Sequence, residues 1–509
     1  MEAFDTLREQ IRQQDGEKFP SRAFTALVLK PAYDHAKQNL LDAMMEVNRA
    51  QLIMLREREL LTRQEAACIE KGLRQIDLHA LEHGEYTGQY EDLFFEVEGK
   101  LLELCGDPAG SLHLARSRND MGVTMYRMVL RRRLAGVMEA LDGFITKMNI
   151  LAREHEKTIM VAITHTQQAQ ISTLGHYLLA ACQILDRDFG RLRHAYATVN
   201  RSAMGACAIT TTGFPIDRAR MAELLGFDGY ILNSYDAIGG GDYLGEAAAA
   251  LQLCAIDAGR IVQDLMLWAG QEYNGIRAAD PYVQISSIMP QKRNPVSIEH
   301  LRSLLSSVGG ECATLLNMLH NTPYGDIVDT EDDAQPFLWN ACDTLKKCYT
   351  LWGNVMGTLS VNRDVLLERA RNGFAAVTEL ADTLVREEAI PFRKAHGVAA
   401  RVARTLSDQG RGLTSLKEEE MRQIYADVTG KTLNTPFETL MRCLQPEHFV
   451  AIRNVPGGCG PQAMATMFAK EEQRKASRES WLQERRRAEE ASRAMQNAGL
   501  KAIAENSRG

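Results

Sequence analysis

Along four stretches of the chain, apolar residues return at alternating steps of four and three. Leu130, Leu134, Val137, Leu141, Phe144, Met148 and Leu151 form the first strip, and Ala247, Leu251, Cys254, Ala258, Ile261, Leu265 and Trp268 the second. Leu301, Leu305, Val308, Cys312, Leu315 and Leu319 form the third, and Leu345, Cys348, Trp352, Val355 and Leu359 the fourth. A spacing near 3.5 places each set on one stripe of a helix and suits near-parallel packing in a bundle. A fifth helix is predicted over roughly 168–198. Proline is absent between Pro108 and Pro215 and again between Pro215 and Pro281, which leaves long helices unbroken. Small residues such as Ala247 and Ala258 permit close approach. Val129, Met138, Ile145, Val262, Met266, Leu304 and Leu316 lie beside the strips, so these helices are expected to be covered on more than one side, by other subunits or by an ordinary monomeric core.

The character changes on either side. Residues 1–119 carry shorter helical patterns, including 34–57 and 63–83, followed by a Gly/Tyr break over 83–92. From 373 short helices alternate with turn-rich pieces at 434–439 and 454–462, and from Lys470 the chain reads as a charged helical run with solvated faces. The division predicted is an N-terminal helical domain (1–119), a central bundle (120–372) and a C-terminal helical domain with a charged tail (373–509).

Composition narrows the class. Across 509 residues, 59 Lys+Arg stand against 66 Asp+Glu, a net charge of −7, which gives no nucleic-acid or anionic-membrane signature. No run of apolar residues is long enough for a membrane span, and the first residues lack the apolar core of a signal peptide. Ten cysteines without a CxxC pair read as reduced thiols rather than a disulfide frame or zinc site. The expectation is a cytoplasmic protein of several domains.

Three polar segments interrupt the helical rhythm. His113–Asp120 ends in Ser117, Arg118 and Asn119 just before the first strip. A hydroxyl, a guanidinium and an amide at a helix start suit carboxylate capture, although an N-cap with surface arginines would read the same way. Thr164 and Gln167 flank His165 closely enough to orient it. In the third segment Pro290 and Pro295 bracket a loop that follows Ser286 and contains Lys292 and Asn294. Asn294 is predicted as N-cap and Pro295 in the first helical turn, a place that favours negative charge.

The third segment, Ser286-Ser-Ile-Met-Pro-Gln-Lys-Arg-Asn-Pro295, resembles the SSxMPxKxNP signature of the aspartase/fumarase superfamily. The first resembles the GRSRND segment of argininosuccinate lyases, the second their THLQ segment, and Asn233-Ser-Tyr-Asp-Ala237 their NSxDA segment. The resemblance runs in register over roughly 35–475. It implies an all-α, three-domain subunit whose central long helices form the twenty-helix core of a homotetramer, with each active site assembled from three subunits. It also implies cleavage of a C–N or C–O bond with release of fumarate, without metal or organic cofactor. By family position Ser286 is the base. Lys292 and Asn294 bind the reacting carboxylate, Ser117, Arg118, Asn119 and Thr164 hold the succinyl group, and His165 assists the leaving nitrogen or orients the substrate.

Departures from the argininosuccinate lyase pattern bear on the substrate. The glycine before the paired serine is Ile285, the glutamine after RSRND is Met121, and an EDIH segment reads Glu91-Asp-Leu-Phe94. The YNxDLQEDK pattern, whose glutamine and lysine contact arginine in that family, reads Tyr324-Gly-Asp-Ile-Val-Asp-Thr-Glu-Asp-Asp333, five acids and no base. Such a loop, if it faces the site, prefers a positively charged amine. The sequence therefore looks most like the branch that includes ethylenediamine-disuccinate (EDDS) lyase. Argininosuccinate cleavage is the alternative, and an inactive crystallin-like structural protein a further one.

Overall fold

The computed structural model describes residues 2–505. Among them the regular structure is helical apart from three two-stranded ribbons. The organising element is α1 (Arg118–Glu154), 37 residues long, which at 1.5 Å per residue spans about 55 Å. It packs against α2 (Leu174–Val199) and α5 (Gln335–Met356), while α3 (Asp242–Ala269) packs against α2 and α4 (Val296–Leu319), and α4 against α5. The five helices thus close a ring. The four strips point into it: Leu134, Leu141, Leu251, Leu301, Leu345 and Trp352 are all fully buried. Leu359 alone falls beyond its helix, which ends at Met356. Outside the ring, Leu253, Ile256 and Leu267 on α3 and Leu304 on α4 stay exposed in the single subunit, beside a groove between those helices.

Residues 159–173, expected in part as helix, form a β-hairpin. The strands Ile159–Thr164 and Gln167–Thr173 pair antiparallel. β-Branched residues predominate on the first strand, and Val161 and Ile171 bury together among the helices that follow residue 370. Thr173 then caps α2, its side chain accepting from the His176 N–H.

The charged tail also departs from expectation. It belongs to a single helix, Pro461–Glu505, that lies along α1, α2 and the N-terminal helices rather than in solvent. Arg478 is buried and donates to Asp142 at 2.8 Å, Asp186 at 2.7 Å and Glu471 at 3.2 Å. A buried guanidinium is tolerable only when paired in this way. The helices over 377–451 build a separate core around Leu380, Val398, Val402 and Tyr425. No helix among the described residues is long and apolar enough to cross a membrane.

Candidate active site

Ser117 is the N-cap of α1, and it forms a capping box with Asp120. Its Oγ accepts from the Asn119 N–H at 3.3 Å and donates to Asn119 Oδ1 at 3.1 Å. Asp120 was not singled out from sequence, although the S-x-x-D spacing carries its signal. It is fully buried and accepts from the backbone N–H groups of Ser117 at 2.8 Å, Gly205 at 2.9 Å and Cys207 at 3.0 Å. Burial nevertheless lifts its pKa to about 6. Asp120 therefore fastens the helix start to the 203–207 loop, and Asn119 Nδ2 reaches the carbonyl of Ala208 in the same direction. Arg118, expected to be free for a carboxylate, is already engaged with Asp92 at 2.8 Å and Glu91 at 3.2 Å. Asp92 is placed for this because it caps the helix Leu93–Cys105.

His165 and Thr166 form the two-residue tip of the β-hairpin, closed by the pair Thr164 and Gln167. Both tip residues have positive φ, 50° and 61°. That is the geometry of a type I′ hairpin turn, which Asn-Gly would adopt without strain; holding two side-chain-bearing residues there costs roughly 1–3 kcal/mol each. All four residues are exposed. Among the described residues neither Thr164 nor Gln167 hydrogen-bonds the imidazole, contrary to expectation: directly opposed on the two strands, they close the hairpin instead.

The third segment is a second hairpin, with Gln284 opposite Asn294 and Ile285 opposite Arg293. Asn294 is held in this ribbon, the extended conformation favoured before proline, so Pro295 is the N-cap and α4 begins at Val296, one residue later than expected. Ser286 Oγ accepts from the backbone N–H groups of Met289 at 3.0 Å and Ile288 at 3.3 Å. Two donors aimed at one hydroxyl oxygen favour its deprotonated form. Lys292 is exposed in the same loop and makes no ion pair among the described residues.

The first segment opens on a cavity of about 390 Å³. Arg118 and Asn119 line it together with Glu91, Asp92, Asp326, Glu331 and Asp332, so the acidic loop does face the first segment. Tyr126 donates to Asp332 at 2.8 Å. Glu331 is pushed up to about 8, by burial first and then by the Asp326 carboxyl hydrogen-bonded to it. Near neutral pH Glu331 therefore keeps its proton. Tyr324 does not line the cavity. It donates to Asp236 at 3.0 Å and stacks on Tyr235.

None of Thr164, His165, Gln167, Ser286, Lys292 or Asn294 reaches this cavity. Length explains the hairpin's absence. The hairpin leaves from the end of α1 opposite Arg118, with the Gly175 N–H bonded to the His155 carbonyl. Six strand residues extend about 20 Å, well short of the ~55 Å length of the helix.

Comparisons with known proteins identify the family. A family model described as lyase matches residues 21–310, and one described as argininosuccinate lyase C-terminal matches 374–451. The chain is 40% identical over 468 residues to argininosuccinate lyase 2 of Agrobacterium fabrum, covering 90% of this chain and 91% of that one. It is 34% identical over 430 residues to the argininosuccinate lyase of Methanothermobacter thermautotrophicus, covering 84% and 91%. Among solved structures, an EDDS lyase variant with bound fumarate superimposes with a TM-score of 0.86 at 28% identity over 93% of both chains. A class II fumarase from Schistosoma mansoni shares the fold at a TM-score of 0.66 and 15% identity, over 81% of this chain and 90% of that one. The chain belongs to the argininosuccinate-lyase-like carbon–nitrogen lyases of the aspartase/fumarase superfamily, near EDDS lyase.

Proposed function

We propose that this lyase releases fumarate, reversibly, from an N-substituted L-aspartate whose amine part is positively charged, an aminopolycarboxylate such as ethylenediamine-disuccinate. The carrying observation is the meeting of Arg118 and Asn119 with Asp326, Glu331 and Asp332 around one cavity. A wall of carboxylates with a single guanidinium, itself paired to two of them, attracts a cation and repels an amino acid's carboxylate.

The reaction is a β-elimination. A base removes a proton from the carbon beside a carboxylate, the electrons flow into that carboxylate, and the C–N bond to the neighbouring carbon breaks. The intermediate is a dianion, so electrostatic stabilisation dominates the barrier. Ser286 is the base, its alkoxide stabilised by the Ile288 and Met289 N–H groups and by Lys292. Lys292 and Asn294 hold the reacting carboxylate, and Ser117, Asn119 and Thr164 the rest of the succinyl group. Arg118 joins them by exchanging Asp92 or Glu91 for substrate. His165 protonates the leaving nitrogen or orients it, with Gln167 beside it, and Tyr324 borders the amine side.

Since one subunit keeps the hairpin tip far from Arg118, the site is shared between subunits of a homotetramer in the cytoplasm. The apolar residues left outside the ring on α3 and α4 supply the surface for that assembly.

A second reading, cleavage of argininosuccinate to arginine and fumarate, is favoured by the 40% identity to the Agrobacterium protein. Ultraviolet absorbance of fumarate after mixing enzyme with each substrate decides between them. Release from ethylenediamine-disuccinate is the expected result, and rapid release from argininosuccinate alone would reject the first reading.

A further inference from the structure

We infer that the amine released here is a cation with a hydrocarbon body: a diamine whose nitrogens are separated by several methylenes. The inference rests on the lyase reading above and concerns the half of the cavity that the acids do not occupy. Its floor is apolar, made by Leu40, Met44, Phe94 and Met125, all buried. Its mouth is formed by Phe24 and Val28, both partly exposed, from a segment far upstream of Arg118. Asp326, Glu331 and Asp332 line the same cavity.

The two halves make different demands. Asp326, Glu331 and Asp332 line one cavity, and Glu331 is pushed up to about 8 by burial and the Asp326 carboxyl beside it, so a second ammonium there takes the place of its proton. The apolar floor gains only from a ligand with hydrocarbon to bury, each methylene transferred from water strengthening binding about threefold to fourfold. Ethylenediamine meets the first demand and leaves the floor wet. A simple alkylamine meets the second and leaves the acids without a partner. Arginine brings a carboxylate to a wall whose one guanidinium is already held by Asp92 and Glu91.

The reverse reaction tests this directly. One N–C bond forms at an olefinic carbon of fumarate and a proton is delivered to the other, so only the two reactants are consumed. Loss of fumarate is followed with the full-length enzyme and ethylenediamine, hexylamine, hexane-1,6-diamine or arginine in turn. Hexane-1,6-diamine is expected to exceed ethylenediamine about a hundredfold, and hexylamine and arginine about tenfold, in kcat/KM. E331Q is expected to bring it down to the level of hexylamine, and F24A to lower its ratio to ethylenediamine about fivefold. Equal use of hexylamine, equal use of ethylenediamine, or a preference for arginine each overturns the inference while leaving the lyase reading intact. Failure of every amine, together with no fumarate from argininosuccinate or ethylenediamine-disuccinate, overturns both.

Discussion

Replacing Asp188 by asparagine should stabilise this protein most above neutral pH and progressively less toward pH 4, where the two should match. Asp188 lies on α2 inside the ring and is fully buried. One carboxylate oxygen is bonded to Arg191 and the other has no partner. Asp257 from α3 adds a like charge, and Arg191 divides itself between the two acids, 3.5 Å from Asp257. Burial first, and Asp257 second, raise the Asp188 pKa from 3.8 to about 7. The folded state therefore holds this proton more tightly than the unfolded chain. Stability is complete below about pH 4, falls as pH rises toward 7, and stays reduced above, by ~4 kcal/mol for a shift of about three units. Asparagine mimics the protonated acid. The shift already includes the Arg191 contact, so the gain at pH 8 is ~4 kcal/mol. A chain of 509 residues has a melting entropy of about 1 kcal/mol/K, so the expected shift in Tm is about 4 °C. Circular dichroism melts of both proteins at pH 5 and pH 8, at one protein concentration and scan rate, measure it. Equal melting at pH 8, or a variant that melts lower there, would refute the reasoning.

Other consequences can be checked at the site. S286A should abolish fumarate release while substrate affinity, measured by calorimetry, stays within about tenfold, because the hydroxyl acts on the proton rather than on binding; undiminished turnover would remove serine from the base role. D120A strands the buried Gly205 N–H at roughly 1–3 kcal/mol and frees the part-buried N–H groups of Ser117 and Cys207, so both Tm and kcat/KM should fall, and a variant that melts like wild type would show that Asp120 does not fasten the helix start. Since Glu331 titrates near 8, KM for a diamine should decrease as pH rises through that value, and E331Q should flatten the profile; an unaltered profile assigns the titration elsewhere.

The bundle was legible because each helix buries one stripe of its own sequence, and the strips from Leu130 to Leu359 needed no partner to be recognised. Features that depend on neighbours were not. The hairpin at 159–173 carries no Asn-Gly at its tip, and the turn is held by packing of Val161 and Ile171 in a core contributed by helices more than two hundred residues later. The charged tail reads as solvated until Asp142 and Asp186, on other helices, are placed against Arg478. The acidic loop was visible as charge, but its meeting with Arg118 and Phe24 is a fact of tertiary structure. Asn294 missed the cap by one residue because a two-residue ribbon outweighed local preference.

The length of α1 carries a further consequence. A rod of ~55 Å keeps Arg118 and His165 of one chain permanently apart, so on this reading a single copy can be perfectly folded and chemically idle. Catalysis becomes a collective property: specific activity should fall on dilution along with assembly, while the helical signal of each separated chain persists.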